Sequence, residues 1–163
     1  MKKIGFLKRI LVACYDGLLL VAVLFFTLAL VMGLFMAVAP DSLFVDPSML
    51  ENQKIAQLTN AGRSIGSAVF IVHCLTVSFL FYGWFWTHGG QTLGMRAWNL
   101  YLIKPDGKFI DWKIAAIRYF AAILSWAMAG LGFTWILLNN RKLAWHDMLS
   151  NTQIVYSPPK KAN

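Results

Sequence analysis

Charge is scarce in this sequence, and acid is the scarcer sign: seven Asp and Glu stand against fifteen Lys and Arg in 163 residues, and only 13% of the chain is charged. With 58% of its residues hydrophobic, the chain has too little polar surface for a soluble or a disordered protein. It reads instead as a small multi-span membrane protein with one domain, 1–163. Two cysteines, Cys14 and Cys74, both within apolar runs, exclude a disulfide scaffold and read as small buried thiols. Three histidines in three separate segments give no metal-ligand spacing, and the His146-Asp147 pair has no nucleophile beside it, so neither an enzyme nor a cofactor is expected. The net charge of +8 is clustered at the two chain ends. No compact basic fold surrounds it, which excludes a nucleic-acid surface and fits a topology signal and contact with anionic lipid head groups.

What is abundant is long apolar runs. Residues 10–39 carry a single charge, Asp16, and exceed the roughly 20 residues that cross a bilayer core, so tilt or protruding ends must absorb the excess. The basic start and Ala37-Val38-Ala39 imitate a secretory signal. A signal core is roughly 7 to 15 residues, whereas this run is much longer, contains Asp16 and would be cut just before Pro40. An uncleaved first span with a cytoplasmic N-terminus is expected. Arg9 and Asp16 are spaced i, i+7, which puts them near one helix face about 10 Å apart along the axis, with Ala13 and Gly17 on or near that stripe. A central intramembrane acid costs roughly 2.5 to 3.5 kcal/mol, so this face is expected to look at protein.

Residues 40–64 form a polar outer loop poor in basic residues. Ser48-Met49-Leu50-Glu51 has capping-box spacing, which predicts a short surface helix over 49–61, and the Gly62 to Gly66 spacing predicts a helix break at the mouth of the next span. The second span covers 65–86 and ends in Trp84 and Trp86, an interfacial aromatic pair. His73 lies well inside it, where a neutral imidazole bonded to a neighbouring helix and a proton relay are the competing roles. After glycines that mark a turn, residues 98–103 read as a strand closed by Pro105-Asp106-Gly107, and 152–156 as its partner. The apolar stretch 114–138 could cross once, but that would leave Arg141, Lys142, Lys160 and Lys161 outside. Paired short helices or a re-entrant hairpin, broken at Ala129-Gly130-Leu131-Gly132, satisfy both the positive-inside bias and the strand pairing. The fold expected is therefore an all-α membrane protein with two transmembrane helices, this third segment, and a small two-stranded cytoplasmic cap from 88–112 and 141–157.

Gly90-Gln91-Thr92-Leu93-Gly94-Met95-Arg96, followed by a short strand and Asp106-Gly107, resembles the signature of the RDD family of bacterial membrane proteins. The family is named for one arginine and two aspartates, the arginine at the start of the first span and the first aspartate within it; Arg9 and Asp16 match by position. Leu143-Ala144-Trp145-His146-Asp147-Met148-Leu149 resembles the family's His-Asp-Leu-Leu stretch and places the second aspartate at Asp147. Asn151 stands where a glycine is usual before Thr152, and the outer loop matches no family motif. The resemblance implies a bacterial inner-membrane protein with transport as the suggested activity, cation/proton exchange being attributed to some members.

Arg96 and Arg118 fall near the inner ends of the spans, and either could pair with Asp16 or with Asp147. Arg9, Asp16, Arg96, Arg118, His146, Asp147 and the more distant His73 are thus the candidate ion or proton site, or alternatively a salt-bridge network that clamps the first helix to the cap. The function expected is transport or exchange of a small ion or solute. The alternative is an accessory membrane subunit that binds lipids or partner proteins. In either case a homo-oligomer with both termini cytoplasmic is expected, because one subunit barely encloses a pathway.

Overall fold

Two helices longer than a bilayer is thick dominate the chain. The computed structural model describes residues 4–38, 53–128, 130–139 and 141–156. Among these the order is α1 (Phe6–Val38), α2 (Gln53–His88), α3 (Leu93–Ala97), β1 (Tyr101–Ile103), α4 (Trp112–Ala127), α5 (Leu131–Leu138), α6 (Trp145–Leu149) and β2 (Gln153–Val155). At 1.5 Å per residue α1 is about 50 Å long, more than the hydrocarbon core needs. In α2 the part apolar enough to cross is Ser64–His88. The third apolar segment is a bent pair, α4 and α5, whose axes differ by 94°. This is the all-α membrane architecture read from the sequence, with a two-stranded sheet added.

The chain divides into two units. One, Val21–Ser78, holds the distal part of α1 and the first part of α2. Its side chains turn large apolar groups outward, among them Phe25, Phe26, Leu30, Val69 and Ile71, an exterior suited to lipid. Within it Thr27 Oγ1 meets His73 Nε2 at 3.1 Å, and Thr27 also donates to the Val23 carbonyl at 2.9 Å.

The other unit, Met1–Leu20 with Phe79–Asn163, carries a packed core. Ile4 and Val12 of the N-terminal segment meet Trp86, Met95, Leu100, Leu102, Ile110, Ala115 and Tyr119. The strands pair antiparallel, Tyr101 with Val155, Leu102 with Ile154 and Ile103 with Gln153, and Leu102 N–H is also held by the Gly90 carbonyl at 2.7 Å. Strands that share hydrogen bonds lie on one side of a bilayer, so α4 and α5 between them return the chain to the side it left. Asp111 starts α4 by accepting from Ile114 N–H at 2.9 Å. Gly130, at φ 75°, turns the chain into α5.

Several local expectations are corrected. The strand predicted over 98–103 begins only at Tyr101. Trp98, Asn99 and Leu100 instead close the end of α3, their N–H groups bonded to the Met95 and Arg96 carbonyls, and Asn99 at φ 52° interrupts any extended path into the strand. The break predicted at Gly62 to Gly66 is absent: α2 runs unbroken from Gln53, so the predicted surface helix over 49–61 is in its described part the first turns of α2. A mid-helix glycine costs only about 1 kcal/mol, which a long helix absorbs. Residues 40–52, with the capping-box sequence, and Lys160 and Lys161 lie outside the described residues. Asn151 adopts φ 48°, in the left-handed region that glycine favours. Asparagine tolerates it, and the turn forms with Thr152 N–H on the Asp147 carbonyl at 2.9 Å.

Candidate functional site

Asp147 sits in the first turn of α6, where its Oδ2 accepts from the Ala144 N–H at 3.0 Å and so ties down the start of that helix. Its side chain is 0% exposed. Arg9, on the first turn of α1, donates from Nη1 to the same Oδ2 and from Nη2 to the Lys142 carbonyl at 3.0 Å. Arg118, on the inner face of α4, places Nη1 2.7 Å from Oδ1 and donates to Thr152 Oγ1 at 2.6 Å, with its guanidinium 5.3 Å from the Trp86 ring. His146 Nε2 lies 3.5 Å from Oδ1. Ser150 Oγ donates to the His146 carbonyl at 2.6 Å and meets Thr152 Oγ1 at 2.8 Å. One carboxylate thus joins α1, α4 and α6.

The electrostatics of this cluster are unequal. Burial alone would raise the Asp147 carboxyl, but the two arginines outweigh it and hold the group well below the usual carboxylate range. Burial, then Arg118, pushes His146 down to about 3, so the ring is neutral at pH 7. Two guanidinium charges therefore share one carboxylate. Arg9 Nε, Arg118 Nε and His146 Nδ1 are buried with no hydrogen-bond partner.

Asp16, two turns further along the same face of α1, is 2% exposed. Its partners are neutral. Thr92 Oγ1 donates to Oδ2 at 2.5 Å and Gly94 N–H donates to Oδ1 at 2.7 Å. Only glycine fits at 94, since a Cβ there would stand 2.8 Å from the Val12 carbonyl oxygen and 2.9 Å from Asp16 Oδ1. The turn into α3 thus lies directly against α1.

Of the residues singled out from the sequence, Arg9, Arg118, His146 and Asp147 come together, and Asp16 lies on the same stripe of α1 without joining them. Of the pairings expected for the arginines, Arg118 with Asp147 is formed, and among the described residues none with Asp16 is. Arg9 and Arg118 are both engaged by Asp147, and Arg96 is exposed on α3 and, among the described residues, makes no ion pair. His73 bonds Thr27. Sequence reasoning missed Thr92 and Gly94 as the groups that hold Asp16, although a threonine followed by a short apolar turn is a capping signal that could have placed Thr92 at a helix start. It also missed Thr152, which had been read only as the start of a strand.

The model of the RDD family matches residues 4–151. The chain belongs to the RDD family. It is also 27% identical over 156 residues to an uncharacterized Bacillus subtilis (strain 168) protein, YxaI, a match that covers 95% of this chain and 98% of that one. No solved structure matches it. In this RDD membrane protein the arginine and the second aspartate, Arg9 and Asp147, form one ion pair across 138 positions of sequence, while the first aspartate, Asp16, is held by the Gly-Gln-Thr-Leu-Gly turn. The three residues that name the family divide between two centres.

Proposed function

We propose that this RDD-family chain transports or exchanges a small cation by proton-coupled movement at Asp16. The observation that carries the reading is an apolar-helix carboxyl, Asp16, that contacts hydroxyl and amide donors and, among the described residues, no cationic side chain. Such a group is free to hold either a proton or a cation, whereas Asp147 is already neutralised twice over. The Thr92 hydroxyl can rotate to donate to the carboxylate or to accept from the protonated acid. Gly94 N–H keeps the carboxyl aimed in both states. In one exchange, a proton leaves Asp16 for water as a monovalent cation takes its place, and the reverse restores the starting state. A pocket of about 290 Å³ beside Thr92, bordered by Trp84, His88, Gln91 and Arg96, offers water an approach to that hydroxyl.

We assign the site to the inner leaflet of a bacterial cytoplasmic membrane, with both termini cytoplasmic, no enzymatic step and a homo-oligomeric assembly. The Asp147 cluster is assigned to anchoring, because it fastens α1 to α4 and α6. The test is purified protein in liposomes, with proton flux driven by an imposed cation gradient. Asp16→Asn is expected to abolish flux while thermal stability in detergent changes little, and Thr92→Val to slow flux. Flux that persists in Asp16→Asn, or an absence of flux in the wild type for every monovalent cation tried, would favour the accessory-subunit reading.

A further inference from the structure

The uncompensated charge of the Asp147 cluster borders a pocket. A cavity of about 580 Å³ is lined by Arg9 and Asp147 and, around them, by Arg141, Lys142, Asn151, Thr152 and Gln153, with apolar walls from Ile4, Leu143, Met148 and Ile154. Arg9, Arg141 and Lys142 against Asp147 leave this lining with a net formal charge of +2, and Arg118 on the other oxygen of Asp147 adds one more. Of these charges only Arg9, Arg118 and Asp147 are buried, which leaves one buried positive charge unbalanced at a cost, and among the described residues no second acid pairs with it. His146 cannot carry the opposite charge, since an imidazole is either neutral or cationic. Arg141 N–H is taken by Asn139 Oδ1 at 2.9 Å, which fixes the backbone, while its guanidinium is exposed. Lys142, at φ 57°, is held in the left-handed conformation by the same turn, its carbonyl bonded to Arg9. The backbone strain at Lys142 and the guanidinium of Arg9 are thus parts of one structure.

We propose that this pocket binds a phosphate group, and that its source is the headgroup of an anionic phospholipid. Three features favour that chemistry. The cations are mostly arginines and a lysine, which suit phosphate oxygens. The side-chain amide of Asn151, exposed at the rim, can donate a further hydrogen bond, and the apolar wall can take the glycerol and upper acyl carbons. The location is the third: Ile4 stands just before α1 and Arg9 lies in its first turn, which is where a chain that spans a bilayer meets its headgroups. A phosphodiester monoanion would bring the charge of the cluster closer to balance. This site is separate from Asp16, and its occupancy does not depend on transport.

The test uses the purified full chain in detergent, with thermal unfolding followed while short-chain phosphatidylglycerol, phosphatidylcholine of the same chain length, or inorganic phosphate is titrated in. Arg9 is left intact because it holds Asp147. The variant is Arg141→Gln with Lys142→Gln, and the charge-matched control is Lys108→Gln with Lys113→Gln, two exposed lysines that do not line the pocket. A saturable rise in Tm with phosphatidylglycerol and none with phosphatidylcholine, weakened about tenfold in apparent affinity in the pocket variant and unchanged in the control, is the expected result. An equal, saturable rise with inorganic phosphate that the pocket variant weakens would keep the phosphate site and overturn the lipid as its source. No difference between the two lipids with no phosphate effect, or equal weakening in pocket variant and control, would overturn the site altogether.

Discussion

Removing the charge of Asp147 while keeping its shape is the most decisive perturbation of the anchor. Asp147→Asn retains an oxygen for the Ala144 N–H, so the start of α6 keeps its cap. What it removes is the one negative charge between Arg9 and Arg118, both nearly buried. Breaking a buried pair by deleting one partner costs about 3 to 5 kcal/mol, because the surviving charge stays desolvated. Here two guanidinium groups survive, so the upper part of that range applies. For a chain of this length each kcal/mol moves Tm by about 2 to 4 °C, which predicts a fall of roughly 10 °C or more, read by tryptophan fluorescence on heating in detergent. A variant with Arg9→Met, Asp147→Leu and Arg118→Met replaces the whole cluster by apolar groups and should recover much of that loss. A Tm for Asp147→Asn within about 2 °C of wild type would refute the reasoning, since it would mean that the arginines find water or other acceptors at no cost.

Stability should also fall as pH falls, over two windows that begin at different pH. His146, depressed from 6.5 to about 3 by burial and then by Arg118, binds a proton in the unfolded chain before it does in the folded one, so stability drops as pH falls from about 6.5 toward 3, and His146→Gln should flatten that part of the profile. Asp147, held below the ordinary carboxylate range by the arginines, contributes stability that is complete above its unfolded value and lost only as pH falls below about 4, a step absent in Asp147→Asn. Gly94→Ala should lower Tm by the equivalent of about 1 to 3 kcal/mol, because the new methyl group meets the backbone of α1 and the Asp16 carboxylate. Gly62→Ala, where a Cβ meets nothing within 4 Å, should instead be neutral or slightly stabilising; equal effects at the two glycines would show that the turn does not bear on α1. Single cysteines placed at positions 3 and 160 in a background without Cys14 and Cys74 should both be shielded from a membrane-impermeant label applied outside; labelling of either one would reverse the assigned orientation.

Apolar length, turn chemistry and capping act over a few residues, and they were legible. The two long helices, the turn at Gly130 and the pairing of 101–103 with 153–155 follow from runs of apolar residues, a glycine able to adopt a left-handed φ, and two short extended segments. Errors of the same local kind arose where two local signals competed. At 98–100 the closing turn of α3 won over the strand pattern, and at Gly62 and Gly66 the helical flanks won over the glycines.

The charges obeyed a different rule. An arginine and an aspartate seven residues apart on one helix lie about 10 Å apart along the axis, too far for an ion pair, so sequence alone could place Arg9 and Asp16 on one face but could not say what each would meet. That depended on which element the rest of the chain laid against each turn of α1. Folding brought α6 to the level of Arg9 and the Gly90 to Gly94 turn to the level of Asp16. The sequence by itself determined that a basic residue and an acid share a buried stripe of an apolar helix. Only the tertiary structure decided that the base is spent on Asp147 while the acid is left to a hydroxyl and an amide, because the partners come from segments 76 and 138 residues away and their approach is set by packing that no local pattern encodes.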